Sequence, residues 1–191
     1  WILTNESEAA TWQNESLPAD RISLENGAIV TNCTRWPLLI DPQLQGIRWL
    51  KRHEEARAEK NDRKLLIMRP GEKQWMMKII SAIQDGNSVI LENVGSELDA
   101  SLDPILSKSV YRKGRGLFLK VGDDDVEYDE NFRLFLQTKM QNPHYKPEIT
   151  AKCTLINFIV TKKGLEDQLL ATIVSEEEPE LEKTRNELVQ A

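Results

Sequence analysis

Short runs of consecutive apolar residues alternate along this chain with longer stretches of helical spacing, and this alternation restricts the fold more than any other feature. The runs are Trp36 to Ile40, Leu65 to Met68, Ser88 to Leu91, Phe132 to Thr138 and Thr154 to Thr161. A strand with one wet face alternates apolar and polar residues, whereas a strand covered on both faces need not. The runs therefore read as strands of a sheet with helices on both sides. Between them, Leu44, Ile47 and Leu50 share one helical face. Trp75, Met76, Ile79, Ile80 and Ile83 recur at helical spacing up to a stop at Gly86. That stripe reads as sheet-facing core rather than as a groove for a partner. Strands joined by crossover helices give an α/β class: three layers, αβα, around a mostly parallel five-stranded sheet. Leu102 to Leu106 adds a short helix. Gly116 to Val121 and Val126 to Tyr128 flank the acidic stretch Asp123–Asp125 and read as a β-hairpin insert.

Around this α/β unit, taken as residues 21–163, lie two less regular parts. Residues 1–20 are polar, with Trp1 and Trp12 as anchors, and read as a loop-rich lead-in. Ser23 is placed to cap the helix that follows. Nearly every residue from Lys51 to Arg63 is charged, so this part reads as a solvated helix end and loop. Residues 164–191 read as a C-terminal helical extension, with Leu165, Leu169, Ile173 and Val174 packed on the sheet domain. In that extension Val174, Leu181 and Leu188 are seven residues apart, a coiled-coil interval. Both ends read as those of a segment of a longer protein.

Composition removes several function classes. A length of 191 residues with 40% hydrophobic content supports one substantial domain. A net charge of −6 argues against a general nucleic-acid binder. The basic stretch from Lys108 to Lys120 loosely matches an RNA-binding pattern, but Arg115 and Leu117 stand where stacking aromatics would be. No apolar run reaches the roughly 18 residues of a membrane span, and no basic-then-apolar leader follows Trp1. Cys33, Cys153, His53 and His144 match no zinc spacing and read as ordinary side chains of a cytosolic protein, with no metal expected. Without a secretion signal, the triplets at Asn5, Asn14 and Asn32 carry no glycosylation reading.

The stretch DPQLQGIR, residues 41–48, sits where a strand meets a helix, the setting of a phosphate-binding loop. That loop needs glycines for backbone approach, a lysine for the outer phosphates and a hydroxyl for magnesium. Laid on the pattern, only Gly46 survives. Asp41 brings a carboxylate to an anion site, Ile47 replaces the lysine, and Arg48 replaces the hydroxyl. Arg48 is placed to pair with Asp41 or with a neighbour's carboxylate. The second half of such a site is an apolar strand ending in Asp-Glu, one acid for metal and one for water. Here SVIL ends in Glu92 and Asn93. The first acid is a methylene longer, and an amide cannot accept a proton near neutral pH.

The stretches LPADRISLENGAIVTNCTRWPLLIDPQLQGIRWLK, SVILENV, FRLFLQTK, NPHYKPE, TLINFIVT and GLEDQLLA together resemble dynein heavy chains of the axonemal branch, at the fifth AAA+ module of the motor ring. The resemblance runs from about Leu17 onward. It implies an AAA+-type fold in which Asp41, Gly46, Ile47 and Arg48 hold the phosphate-loop position and Glu92 and Asn93 the metal-acid position. It further implies that Asn142 resembles the polar sensor after the fourth core strand, and that Lys152 lies near a finger position serving a neighbouring site. It implies a ring element without hydrolysis or a nucleotide of its own, with ATP and Mg used by other modules. The implied partners are the fourth and sixth modules, a strut and stalk coiled coil seamed by Val174, Leu181 and Leu188, and microtubules through the whole motor. No nucleic acid or membrane is implied, and the implied location is the cytoskeleton of a cilium or flagellum. The alternative function is a P-loop ATPase that binds or hydrolyses ATP through an unorthodox loop.

Overall fold

A computed structural model describes residues 4–122 and 124–177. The elements, in chain order, are α1 (Glu6–Asn14), α2 (Arg21–Asn32), β1 (Trp36–Ile40), α3 (Gln45–Lys60), β2 (Leu65–Met68), α4 (Trp75–Asp85) and β3 (Ser88–Leu91). After a 3-10 turn follow α5 (Asp103–Leu106), β4 (Val110–Lys113), β5 (Gly116–Val121), β6 (Asp124–Glu127), β7 (Arg133–Thr138), α6 (Pro147–Lys152), β8 (Cys153–Asn157) and α7 (Lys162–Glu177).

Five strands form one parallel sheet in the order β2-β3-β7-β1-β8. Successive residues point to opposite faces, so each apolar run feeds two cores. Leu38, Val89, Leu91, Leu134 and Leu136 face a cluster with Ile79 and Ile83 of α4 and with α5. Leu39, Ile90, Phe135 and Ile156 face a second cluster with α2 and with Ile47, Trp49 and Leu50 of α3. The expected αβα layering is present. The Trp75–Ile83 stripe lies in the first cluster: Ile79 and Ile83 are fully buried, and Trp75, Met76 and Ile80 pack against it half-buried. The expected hairpin is β5–β6, and β4 pairs with β5 to make a three-stranded antiparallel sheet. Lys113 of its basic strand meets Asp125 at 2.6 Å. The last strand is shorter than its apolar run suggests, ending at Asn157.

Several expectations change. The lead-in is not a loop: Asn5 and Glu8 build a capping box, with the Glu8 N–H donating to the Asn5 side chain at 2.8 Å. Trp12 then packs edge-on against Trp49, His53 stacks on Trp49, and His53 Nδ1 lies 2.8 Å from Glu15, all of which ties α1 to α3. The cap of α2 is Asp20 rather than Ser23, whose N–H and hydroxyl both donate to the Asp20 carboxylate, at 3.0 and 2.8 Å. The charged run after Lys51 is helical to Lys60 and holds a buried acid. Glu54, 1% exposed, accepts from Ser88 Oγ and from Arg133, each at 2.8 Å, and so anchors α3 to the starts of β3 and β7.

The expected packing of α7 on the sheet domain is not found. Leu165, Leu169, Leu170 and Ile173 are each half exposed or more, and none belongs to either core cluster. The helix is held at its root instead. Gln168 donates to Asp20 at 3.0 Å and accepts from Gln45 at 3.1 Å. Gly164 is buried close to Thr161 and Asp20. Val174 lies within α7, whereas Leu181 and Leu188 lie outside the described residues. Among the described residues, no helix is long and apolar enough to cross a membrane.

Candidate functional site

The turn after β1 is where the chemistry concentrates. Leu44 takes a left-handed conformation, φ 61°, which a leucine rarely adopts. Strand, left-handed turn and helix N-terminus together gather backbone N–H groups as a phosphate loop does. Here the anion they hold belongs to the protein. The Asp41 side chain is fully buried, with Oδ1 accepting the Gln45 N–H at 3.0 Å and Oδ2 the Ile47 N–H at 2.8 Å. Burial pushes the Asp41 carboxyl above its ordinary range, against the amides of residues 44–47, which pull it down. The carboxylate therefore takes the donors that a phosphate oxygen would need, and adds negative charge to the same spot.

The other loop positions are equally committed. A Cβ on Gly46 would lie 2.7 Å from the ring of Phe158, so the surviving glycine admits the close packing of that buried ring. Ile47 is core, packed in the cluster around Trp49. Arg48 is exposed and forms no ion pair with any described residue. Its expected pairing with Asp41 is not made, because both Asp41 oxygens are turned inward to the amides.

Glu92 follows β3 directly. Lys51 Nζ sits 2.5 Å from one of its oxygens, and Arg69 Nε 3.7 Å from the other. An internal ammonium thus neutralises the Glu92 carboxylate at the end of β3. Asn93, at φ 55°, donates its N–H to Gln137 Oε1 at 3.0 Å. The Gln137 amide in turn donates to the Asp41 carbonyl at 3.2 Å. Buried Gln137 therefore joins the two strand ends, a role the sequence reading missed. Its signal was a polar residue inside the apolar run FRLFLQT. Asn142 is exposed in the loop after β7, and Lys152 pairs with Asp103 at 3.0 Å. Neither lines the cleft between α3 and the strand ends.

That cleft encloses about 490 Å³. It lies at the carboxyl ends of parallel strands, where α/β sheets hold ligands. Leu44 and Ile47 supply its apolar lining, and among the described residues no aromatic ring lines it. Arg48, Lys51, Arg52, Arg69 and Lys139 supply cations, against Glu55 and Glu92. Chemically, the site holds the Asp41 carboxylate on the loop amides and a Lys51–Glu92 ion pair at the end of β3. These residues do not fit a magnesium–triphosphate group: the amides are taken, the metal acid is paired, and Asn93 is no base.

The family model described as the ATP-binding dynein motor region matches residues 10–191. The chain is 49% identical over 187 residues to the ciliary dynein beta chain of Heliocidaris crassispina. It is 49% identical over 188 residues to the flagellar outer-arm dynein alpha chain of Chlamydomonas reinhardtii. With axonemal dynein heavy chain 17 of Homo sapiens it shares 47% over 190 residues. These alignments cover 98%, 98% and 100% of this chain, which spans 4% of the length of each relative.

Proposed function

The chain belongs to the dynein motor-region family, and from that premise we propose that it is a structural AAA+ module, the fifth of the ring, which neither binds nor hydrolyses ATP. The observation that carries this reading is the Asp41 carboxylate seated on the amides of the loop. A module of this kind works mechanically. Hydrolysis elsewhere in the ring moves neighbouring modules as rigid bodies, and packed interfaces pass the shift along. The bonds Asp41–amide, Asn93–Gln137–Asp41 and Lys51–Glu92 lock the turn, the strand ends and α3 together with no ligand to gain or lose. The module stays stiff while others cycle, and carries the displacement to a strut rooted in the C-terminal helix.

In this reading the fourth and sixth modules flank the chain, and the whole motor works on microtubules. The ciliary, flagellar and axonemal names of the relatives support a place in the axoneme. The family model's ATP-binding description is what favours the alternative, an ATPase with an unorthodox loop; the occupied amides of the loop weigh against it. The test is calorimetry with Mg-ATP, which is expected to give no heat beyond dilution; micromolar binding would overturn the reading. The double variant Ile47→Lys, Arg48→Thr is expected to show no ATP turnover above background, since Asp41 and Asn93 remain.

A further inference from the structure

We propose that the cleft beside α3 docks an acidic segment of an adjoining polypeptide, whose carboxylates pair with Arg48, Arg52 and Lys139. The proposal rests on the module reading above and names the partner chemistry of its cleft. Among the described residues, five cations and two acids line this cleft, in a chain whose net charge is −6. The cleft is a positive island on a negative molecule, and such an island steers and orients an acidic partner. Its cations are not all used internally. Lys51 and Arg69 serve Glu92, and Arg52 reaches the Ser16 hydroxyl without an ion pair. Arg48 and Lys139 are exposed and form no ion pair with any described residue.

Geometry separates a protein segment from a phosphate. Arg48, Lys51, Arg52 and Glu55 follow one another on α3 at intervals of three, four and seven residues from the first. Neighbours at such spacing stand about 5–6 Å apart, so the charges form a row along two turns. A phosphate asks for donors converging on one point, and the amides that converge here already hold Asp41. Carboxylates spread along a helix or strand match a row. Among the described residues, the cleft also offers no aromatic face for a base.

The test titrates a fluorescent deca-glutamate peptide into the 191-residue chain at low salt. Binding is expected, weakening as salt rises. The surface variant Arg48→Glu, Lys139→Glu is expected to weaken it about tenfold or more. The control Arg112→Glu, Arg115→Glu, on exposed β4 and the turn that follows it, is expected to leave it unchanged. No binding by the wild type, or equal weakening in the control, would sink the proposal. Inorganic tripolyphosphate displacing the peptide at a concentration below the peptide's own Kd would make the cleft a phosphate site and also overturn it. Mg-ATP in the same assay keeps the two readings apart. ATP binding refutes the nucleotide-free module, whereas silence from both ATP and peptide refutes only the docking surface.

Discussion

At the scale of single residues, Asp41 is a ligand that cannot leave. Its carboxylate satisfies two N–H groups of the first turn of α3 and meets the positive end of that helix. Burial works against it, which is why its folded carboxyl titrates above the usual value of 3.8. For an acid raised in this way, the stabilising contribution is full below the unfolded pKa and is lost as pH rises through the folded one. Asp41→Ala removes a cap and a costly buried charge together. The expected net loss is about 1–2 kcal/mol at neutral pH, with the acid-side component of the pH profile gone. The emptied amides should then accept an outside anion. Phosphate at tens of millimolar is expected to raise the Tm of Asp41→Ala and leave the wild type unmoved, by differential scanning fluorimetry. Equal shifts in both proteins would show that Asp41 does not guard the cradle. The sequence drew attention to residues 41, 47 and 48 because a motif assigns a job to each position. The partners of Asp41 and Glu92 were not, since a carboxylate's spelling says nothing of which amide or ammonium it meets.

At the scale of elements, α7 departs most from its sequence reading. Leucines at helical spacing predict burial, yet Leu165 and Leu169 stand half exposed. What fixes the helix is polar: Gln168 spans the buried cap of α2 and the first residue of α3. Gln45 carries on its backbone the N–H held by Asp41, so the root of α7 touches the same turn as the candidate site. Gln168→Ala removes both contacts and exposes no core. Amide exchange across residues 169–177 is expected to accelerate several-fold, with α3 and α4 unchanged; unchanged exchange in α7 would show that Gly164 and the backbone hold it alone. The helix α1 escaped the sequence reading for the opposite reason. It shows no apolar stripe, and Trp12 alone buries it, against a tryptophan and a histidine far along the chain.

At the scale of the whole molecule, two apolar clusters share one sheet. Every strand residue that loses its partner on one face loosens a neighbour on the other, so the clusters should unfold together. Ile79→Ala in the first cluster and Leu50→Ala in the second are each expected to cost about 2–4 kcal/mol. Both side chains are fully buried. In urea, each variant is expected to shift one common transition, read alike by tryptophan fluorescence and far-UV dichroism. Two separated transitions would mean that the helices of one face unfold without the sheet.

The αβα class, the five strands and the position of the altered loop were determined by the order of residues alone. Burial on both faces requires continuous apolar runs, and a helix between parallel strands requires a 3.6-residue stripe; both are local patterns. Tertiary structure decided the rest. Asp41 could read as repelling a phosphate or as pairing with Arg48, and only the fold of Leu44 turns it onto the amides. Glu54 sits in a run of charges that looks solvated, and is buried because β3 and β7 bring Ser88 and Arg133 to it. Gln137 joins strand ends that the chain separates by dozens of residues. The physical reason is the same in each case. The hydrophobic effect acts on patterns that recur along a few turns, whereas the partner of a polar group is set by whatever the folded chain carries within about 3 Å of it.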